Sequence, residues 1–125
     1  MALTRDFKER IGTMAEEDPE FREALLREAI ETMISGDVAT GKAVLRDYIN
    51  ATIGFPNLEK AVRIPATSLM RMFGPKGNPS AENLFTILAH LQHRQGVDFE
   101  LHARKPSKKS RRPKRQNLTP ALAPE

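Results

Sequence analysis

Thr67 and Arg71 are four residues apart and would lie on one face of a short helix. An arginine can donate two hydrogen bonds to a guanine edge or to a phosphate, and a threonine can bond a base or contact a thymine methyl group. With their neighbours they form a candidate set for contact with DNA bases: Ala66, Thr67, Met70 and Arg71.

A second set of polar residues surrounds this stretch and could hold phosphates. Ser68 lies near the start of the predicted helix, where a hydroxyl and unpaired backbone N–H groups favour an anion. Basic, amide and hydroxyl side chains follow in the next loop and at the next helix start. The candidate set for phosphate contact is Arg63, Ser68, Lys76, Asn78, Ser80 and Asn83. The alternative is a helical bundle with an ordinary polar surface.

Two short helices joined by a tight turn would position these residues. We expect the first helix over 58–62, capped by Asn57, and the second over 66–73. Ile64-Pro65 marks the connection, because proline disfavours helix in the residue before it. Apolar side chains would let the first helix brace the second. This layout, over about 57–73, is typical of a helix-turn-helix unit.

Longer helices are predicted on both sides of this unit. Asp18, Asp37 and Ser80 are good helix caps, and each precedes an apolar stripe with helical spacing. Residues 1–17 show only weak helical periodicity, and Gly54-Phe55-Pro56 is expected to break the helix before the unit. The fold class we predict is an all-α bundle.

Residues 97–102 alternate strictly between apolar and polar types, which predicts a short half-buried strand. A lone strand needs a partner. The segment could therefore form a dimer contact, or it could pair or pack within its own domain.

The net charge of +4 is divided unevenly along the chain. Residues 104–125 contain eight basic residues and one acidic residue, with four prolines, and we expect this tail to be disordered. It could attract phosphates without sequence preference or serve as a solubilising extension. Residues 57–94 contain five basic and two acidic residues.

The predicted organisation is an N-terminal segment 1–17, a helical domain 18–103 and the basic tail 104–125.

The string Ser68-Leu69-Met70-Arg71, followed by Lys76-Gly77-Asn78-Pro79-Ser80, resembles the Xre/Cro-like helix-turn-helix family. It is most similar to the branch of probable addiction-module antidote, or HigA-like, proteins. The resemblance implies a lambda-repressor-like helical domain that binds double-stranded DNA as a homodimer. It also implies, in many members, autorepression beside a RelE-type toxin.

Two positions depart from this pattern. Glu59 stands where the family has a small residue, and Arg63 stands at the turn, where the family has glycine. A non-glycine residue with positive φ costs about 1 kcal/mol. Either the turn has another geometry, or other contacts hold Arg63 in it.

Several function classes find no support in the sequence. The chain has no cysteine, and no arrangement typical of a nucleophile or a phosphate-binding loop. His90 and His93 are interpreted as surface residues rather than metal ligands. We expect no enzyme, no metal, no cofactor and no membrane span, and a cytoplasmic protein, since the start lacks a secretory apolar stretch.

Two functions fit these observations. The first is a sequence-specific transcriptional repressor that binds DNA as a dimer. The second is an antitoxin that neutralises a small toxin protein, because residues 1–56 contain seven basic and eleven acidic residues and would suit a basic partner.

Overall fold

The computed structural model describes residues 5–106, and these residues form six helices joined by short connections. Within this range no strand is present. Nor does the range contain a helix with the length and apolar character needed to cross a membrane. The helices are α1 (Arg5–Glu17), α2 (Pro19–Ile34), α3 (Val38–Ala51), α4 (Phe55–Val62), α5 (Ala66–Met72) and α6 (Ala81–Gln95).

Three of the four predicted helix caps, Asp18, Asp37 and Ser80, are confirmed. The Asp18 carboxylate accepts a hydrogen bond from the Glu20 N–H at 3.0 Å, and the Asp37 carboxylate accepts one from Thr40 at 3.2 Å. The Ser80 hydroxyl accepts one from Asn83 at 3.1 Å. Each cap satisfies an N–H group that a helix start leaves without a partner in the helix.

Helices α2 and α3 pack tightly against each other, and α1 contacts both. Gly41 lies at the closest approach, because a Cβ there would overlap the Met33 side chain and press on the backbone of Ala29. The missing side chain of Gly41 therefore lets the two helices meet. A hydrogen bond also joins α3 to α6, because the Tyr48 hydroxyl donates to the Gln95 side chain at 2.7 Å.

One hydrophobic core extends from this helix pair to α4, α5 and α6. Phe55 and Leu58 enter it from α4, Leu69 enters it from α5, and α6 adds Ile87 and Leu91. All five side chains are at most 3% exposed. The short helices are therefore held by tertiary packing, because seven or eight residues form no stable helix alone.

The predicted start of α4 is wrong. The helix begins at Phe55, with Pro56 in its first turn, where a missing N–H group costs nothing. Gly54 precedes it with a φ of 80° and permits the sharp entry. Asn57 is therefore no cap; its side chain donates to the carbonyl of Ile53 at 3.0 Å.

The predicted strand over 97–102 is also wrong, because no segment of the described chain pairs with it. Phe99 instead packs against the core, and its N–H group donates to the Gln92 side chain at 2.9 Å. Val97 and Phe99 are half-buried in this irregular segment, but Leu101 is 82% exposed, so the alternation matches burial only over the first part of the segment. Residues 104–106 also lack regular structure, and the disorder expected for the rest of the tail falls on 107–125, outside the described residues.

Candidate nucleic-acid interface

The connection between α4 and α5 is a tight turn of three residues, Arg63, Ile64 and Pro65. Arg63 ends α4 in the left-handed conformation, with φ 62° and ψ 39°, and its N–H group donates to the Glu59 carbonyl at 2.8 Å. Among the described residues, it alone combines a side chain with positive φ. The turn thus has the backbone conformation that favours glycine, with arginine in its place.

The Glu59 side chain spans this turn. Its Oε1 atom accepts a hydrogen bond from the backbone N–H of Ala66, the first residue of α5, at 2.9 Å. This bond fixes the start of α5 relative to α4, whose Leu58 is fully buried beneath it. The carboxylate also places negative charge at the start of α5, which disfavours a phosphate beside Ser68.

The base-contact candidates do not all have the same exposure. Thr67, Met70 and Arg71 are exposed at relative positions i, i+3 and i+4 and form one face of α5. Leu69 lies on the opposite face and is fully buried. Ala66 is half-buried and packs against the core, so it offers less surface than its neighbours.

The phosphate-contact candidates lie on three segments around α5. Arg63, Lys76, Asn78 and Ser80 are exposed, on the turn before α5, in the loop after it and at the start of α6. The remaining two candidates, Ser68 and Asn83, are half-buried. Ser80 already accepts the Asn83 N–H bond, and its hydroxyl hydrogen can still be donated.

A residue that the sequence analysis missed holds the loop after α5. Lys42 of α3 is only 8% exposed, and its ammonium group donates to the carbonyls of Gly74 at 3.3 Å and Gly77 at 2.5 Å. No local pattern could have indicated this contact, because its partners lie 32 and 35 residues further along the chain.

The candidate interface is positively charged. Four cations in and around it are exposed: Lys60, Arg63, Arg71 and Lys76. Within residues 5–106 no group of three histidine or acidic side chains is arranged to hold a metal ion. The arrangement suits the binding of an anionic polymer.

No family model, no curated protein and no solved structure matches this chain. The resemblance to the Xre/Cro-like family thus stays a prediction that rests on the residues quoted above.

Proposed function

We propose that this chain is a sequence-specific DNA-binding protein of the helix-turn-helix type that regulates transcription as a repressor. The observation that carries the proposal is the division of α5 into two faces. Leu69 anchors one face in the core, while Thr67, Met70 and Arg71 project from the other. A short, rigidly held helix with such an exposed face fits the major groove of B-DNA.

The support around α5 favours the same interpretation. α4 contacts both α5 and α6, and the Glu59 bond to Ala66 fixes the angle at which α5 leaves the turn. Exposed cations before and after α5, Arg63 and Lys76, would contact phosphates on either side of the groove. In this proposal Arg71 and Thr67 read bases. The position of the protein along the duplex is set by phosphate contacts of Arg63, Lys76, Asn78 and Ser80.

We further propose that two copies bind one operator in the cytoplasm. α5 has seven residues and is about 10 Å long, so one copy reads only a few base pairs. Two copies related by a twofold axis would read two half-sites about one helical turn apart.

A selection from random DNA duplexes tests this proposal. The purified chain should enrich a sequence with two inverted half-sites whose centres lie about 10 base pairs, or a multiple of that, apart. A gel-shift titration on the selected duplex should show two copies bound to each duplex. Retention of duplexes without any enriched sequence would contradict specific recognition.

The second candidate function is neutralisation of a toxin by protein contact, and one surface favours it. Ile34 and Val38, on either side of the turn from α2 to α3, are 60% and 49% exposed. Exposed acidic residues lie near them in sequence, Glu28 and Glu31 among them. An apolar pair with acidic surroundings suits a basic protein partner.

Co-expression of the chain with the product of an adjacent small gene tests this second candidate. Ile34→Asp should abolish capture of that product and leave DNA binding intact. If wild-type chain captures no such product, only the DNA-binding proposal stands.

A further inference from the structure

The Lys42 side chain comes from α3 and holds the turn that follows α5. Gly74 and Gly77, the first and last residues of this turn, both accept hydrogen bonds from the Lys42 ammonium group. The Gly77 N–H group also donates to the Gly74 carbonyl at 3.1 Å and closes the turn. The two central residues are Pro75 and Lys76, and both are exposed.

The same turn lies directly against the end of α5. A Cβ at Gly77 would overlap the backbone carbonyl oxygens of Arg71 and Met72, so only glycine fits at this distance. The turn is thereby fixed between two elements, with the last turn of α5 on one side and the Lys42 ammonium on the other. These contacts hold the backbone of the turn, from whose tip Lys76 projects.

The chemistry of Lys42 points to a role beyond packing. A buried ammonium is costly unless its hydrogen bonds are made. A methionine has nearly the same length and would fill the same space without that cost. What the ammonium adds is its bonds to two carbonyl oxygens, near the C-terminus of α5 where positive charge is favoured.

We infer that Lys42 is a positioning residue for the nucleic-acid interface, and that it holds Lys76 where Lys76 contacts a DNA phosphate. The inference rests on the proposed DNA-binding function. Lys42 itself contacts no DNA, because it is buried. It acts through the Gly74–Gly77 turn, and its loss removes the phosphate contact of Lys76 while the Lys76 charge remains.

A double-mutant cycle tests this inference. Binding to a mixed-sequence duplex of about 20 base pairs is followed by fluorescence anisotropy over a range of salt concentrations. Lys42→Met, Lys76→Gln and the double variant should each reduce the slope of log K against log salt by about 1. A reduction of about 2 in the double variant, or an unchanged slope in Lys42→Met, would overturn the inference.

Two further variants control for charge and folding. Arg46→Met removes one positive charge from the exposed side of α3, one turn beyond Lys42, and should leave the slope unchanged. Lys42→Leu also removes the N–H donor and replaces Lys42→Met in the cycle if the latter does not fold. Urea denaturation of each variant establishes the folded fraction before binding is measured.

A measurement without DNA separates the inference from the proposed function. Trypsin cleaves after exposed lysines, and cleavage between Lys76 and Gly77 should be faster in Lys42→Met than in Arg46→Met. If wild-type chain binds no duplex but this difference is found, the DNA-binding function fails while the hold on the turn stands. If wild-type chain binds and cleavage is equal in the two variants, the role of Lys42 is refuted.

Discussion

The Glu59 carboxylate accepts a hydrogen bond from the backbone N–H of Ala66, with 2.9 Å between Oε1 and the nitrogen. The bond crosses the turn from the middle of α4 to the first residue of α5. It satisfies an N–H group that the start of α5 leaves without a partner in the helix. Glu59 is thus a helix cap supplied by the preceding helix.

Loss of this cap should destabilise the fold. Glu59→Ala is expected to lower the free energy of unfolding by about 1 kcal/mol, the usual cost of a lost helix cap. Glu59→Gln keeps an acceptor oxygen and should lose less. Urea denaturation measures both, with Lys60→Ala as the control for an exposed charge on the same helix. Equal stability of Glu59→Ala and Lys60→Ala would contradict the capping role.

The left-handed conformation of Arg63 predicts that glycine stabilises the fold more than alanine at this position. At Arg46, inside a helix, the order of the two residues should be reversed. At Arg63, glycine should give a higher free energy of unfolding than alanine, by about 1 kcal/mol, because glycine adopts positive φ without strain. At Arg46, inside α3, alanine should give a higher free energy of unfolding than glycine, by about 1 kcal/mol. Urea denaturation of the four variants tests this. If alanine also gives the higher free energy of unfolding at position 63, the turn has a different conformation in solution.

Several parts of the fold could be predicted because their causes are local. Asp18, Asp37 and Ser80 bond N–H groups two or three residues away, so a short stretch of sequence contains the whole interaction. For the turn at Arg63, two conformations were compatible with the residues: another geometry, or a strained one held by other contacts. The structure has the strained one, since the φ of Arg63 is 62°.

The parts that could not be predicted depend on distant partners. The alternation over 97–102 correctly indicated that Phe99 is half-buried, but a strand requires a neighbour that the sequence does not name. Lys42 looks like any surface lysine of α3 until the fold brings Gly74 and Gly77 to it. For the candidate site, sequence could nominate α5, but only the fold shows that Ala66 packs inward.

Tyr48 should make the free energy of unfolding depend on pH in the alkaline range. Burial raises the pKa of its phenol above 10.0, and the charges of Arg22 and Arg94 oppose this only in part. The folded state therefore holds the proton more tightly than the unfolded state. The resulting stability is fully present below pH 10 and is lost as the pH rises through the folded pKa.

An absorbance titration measures this pKa cleanly, because Tyr48 is the only tyrosine and the chain has no tryptophan. Tyr48→Phe should cost about 1 kcal/mol at neutral pH through the lost bond to Gln95. That deficit should shrink as the pH rises above 10, because the phenol then ionises in the unfolded chain before it does so in the folded protein. A phenol that titrates at or below 10 in the folded protein would contradict the account.

The basic tail should strengthen binding without choosing a sequence. Deletion of 104–125 removes eight basic residues, so binding to a mixed-sequence duplex should weaken and its salt slope should fall. The ratio of affinities for selected and mixed duplexes should persist. Anisotropy titrations of the full and shortened chains measure both quantities. A shortened chain that no longer discriminates between the duplexes would place specificity in the tail instead.

In the proposed function, the exposed face of α5 reads the DNA sequence. Its most direct test is the affinity ratio between the selected duplex and one with a single changed guanine, for wild-type chain, Arg71→Ala and Thr67→Ala. Wild-type chain should discriminate by about 1–3 kcal/mol, and Arg71→Ala should lose that discrimination while Arg46→Ala keeps it. If Arg71→Ala and Thr67→Ala discriminate as wild-type chain does at every position of the site, α5 is not the element that reads the sequence.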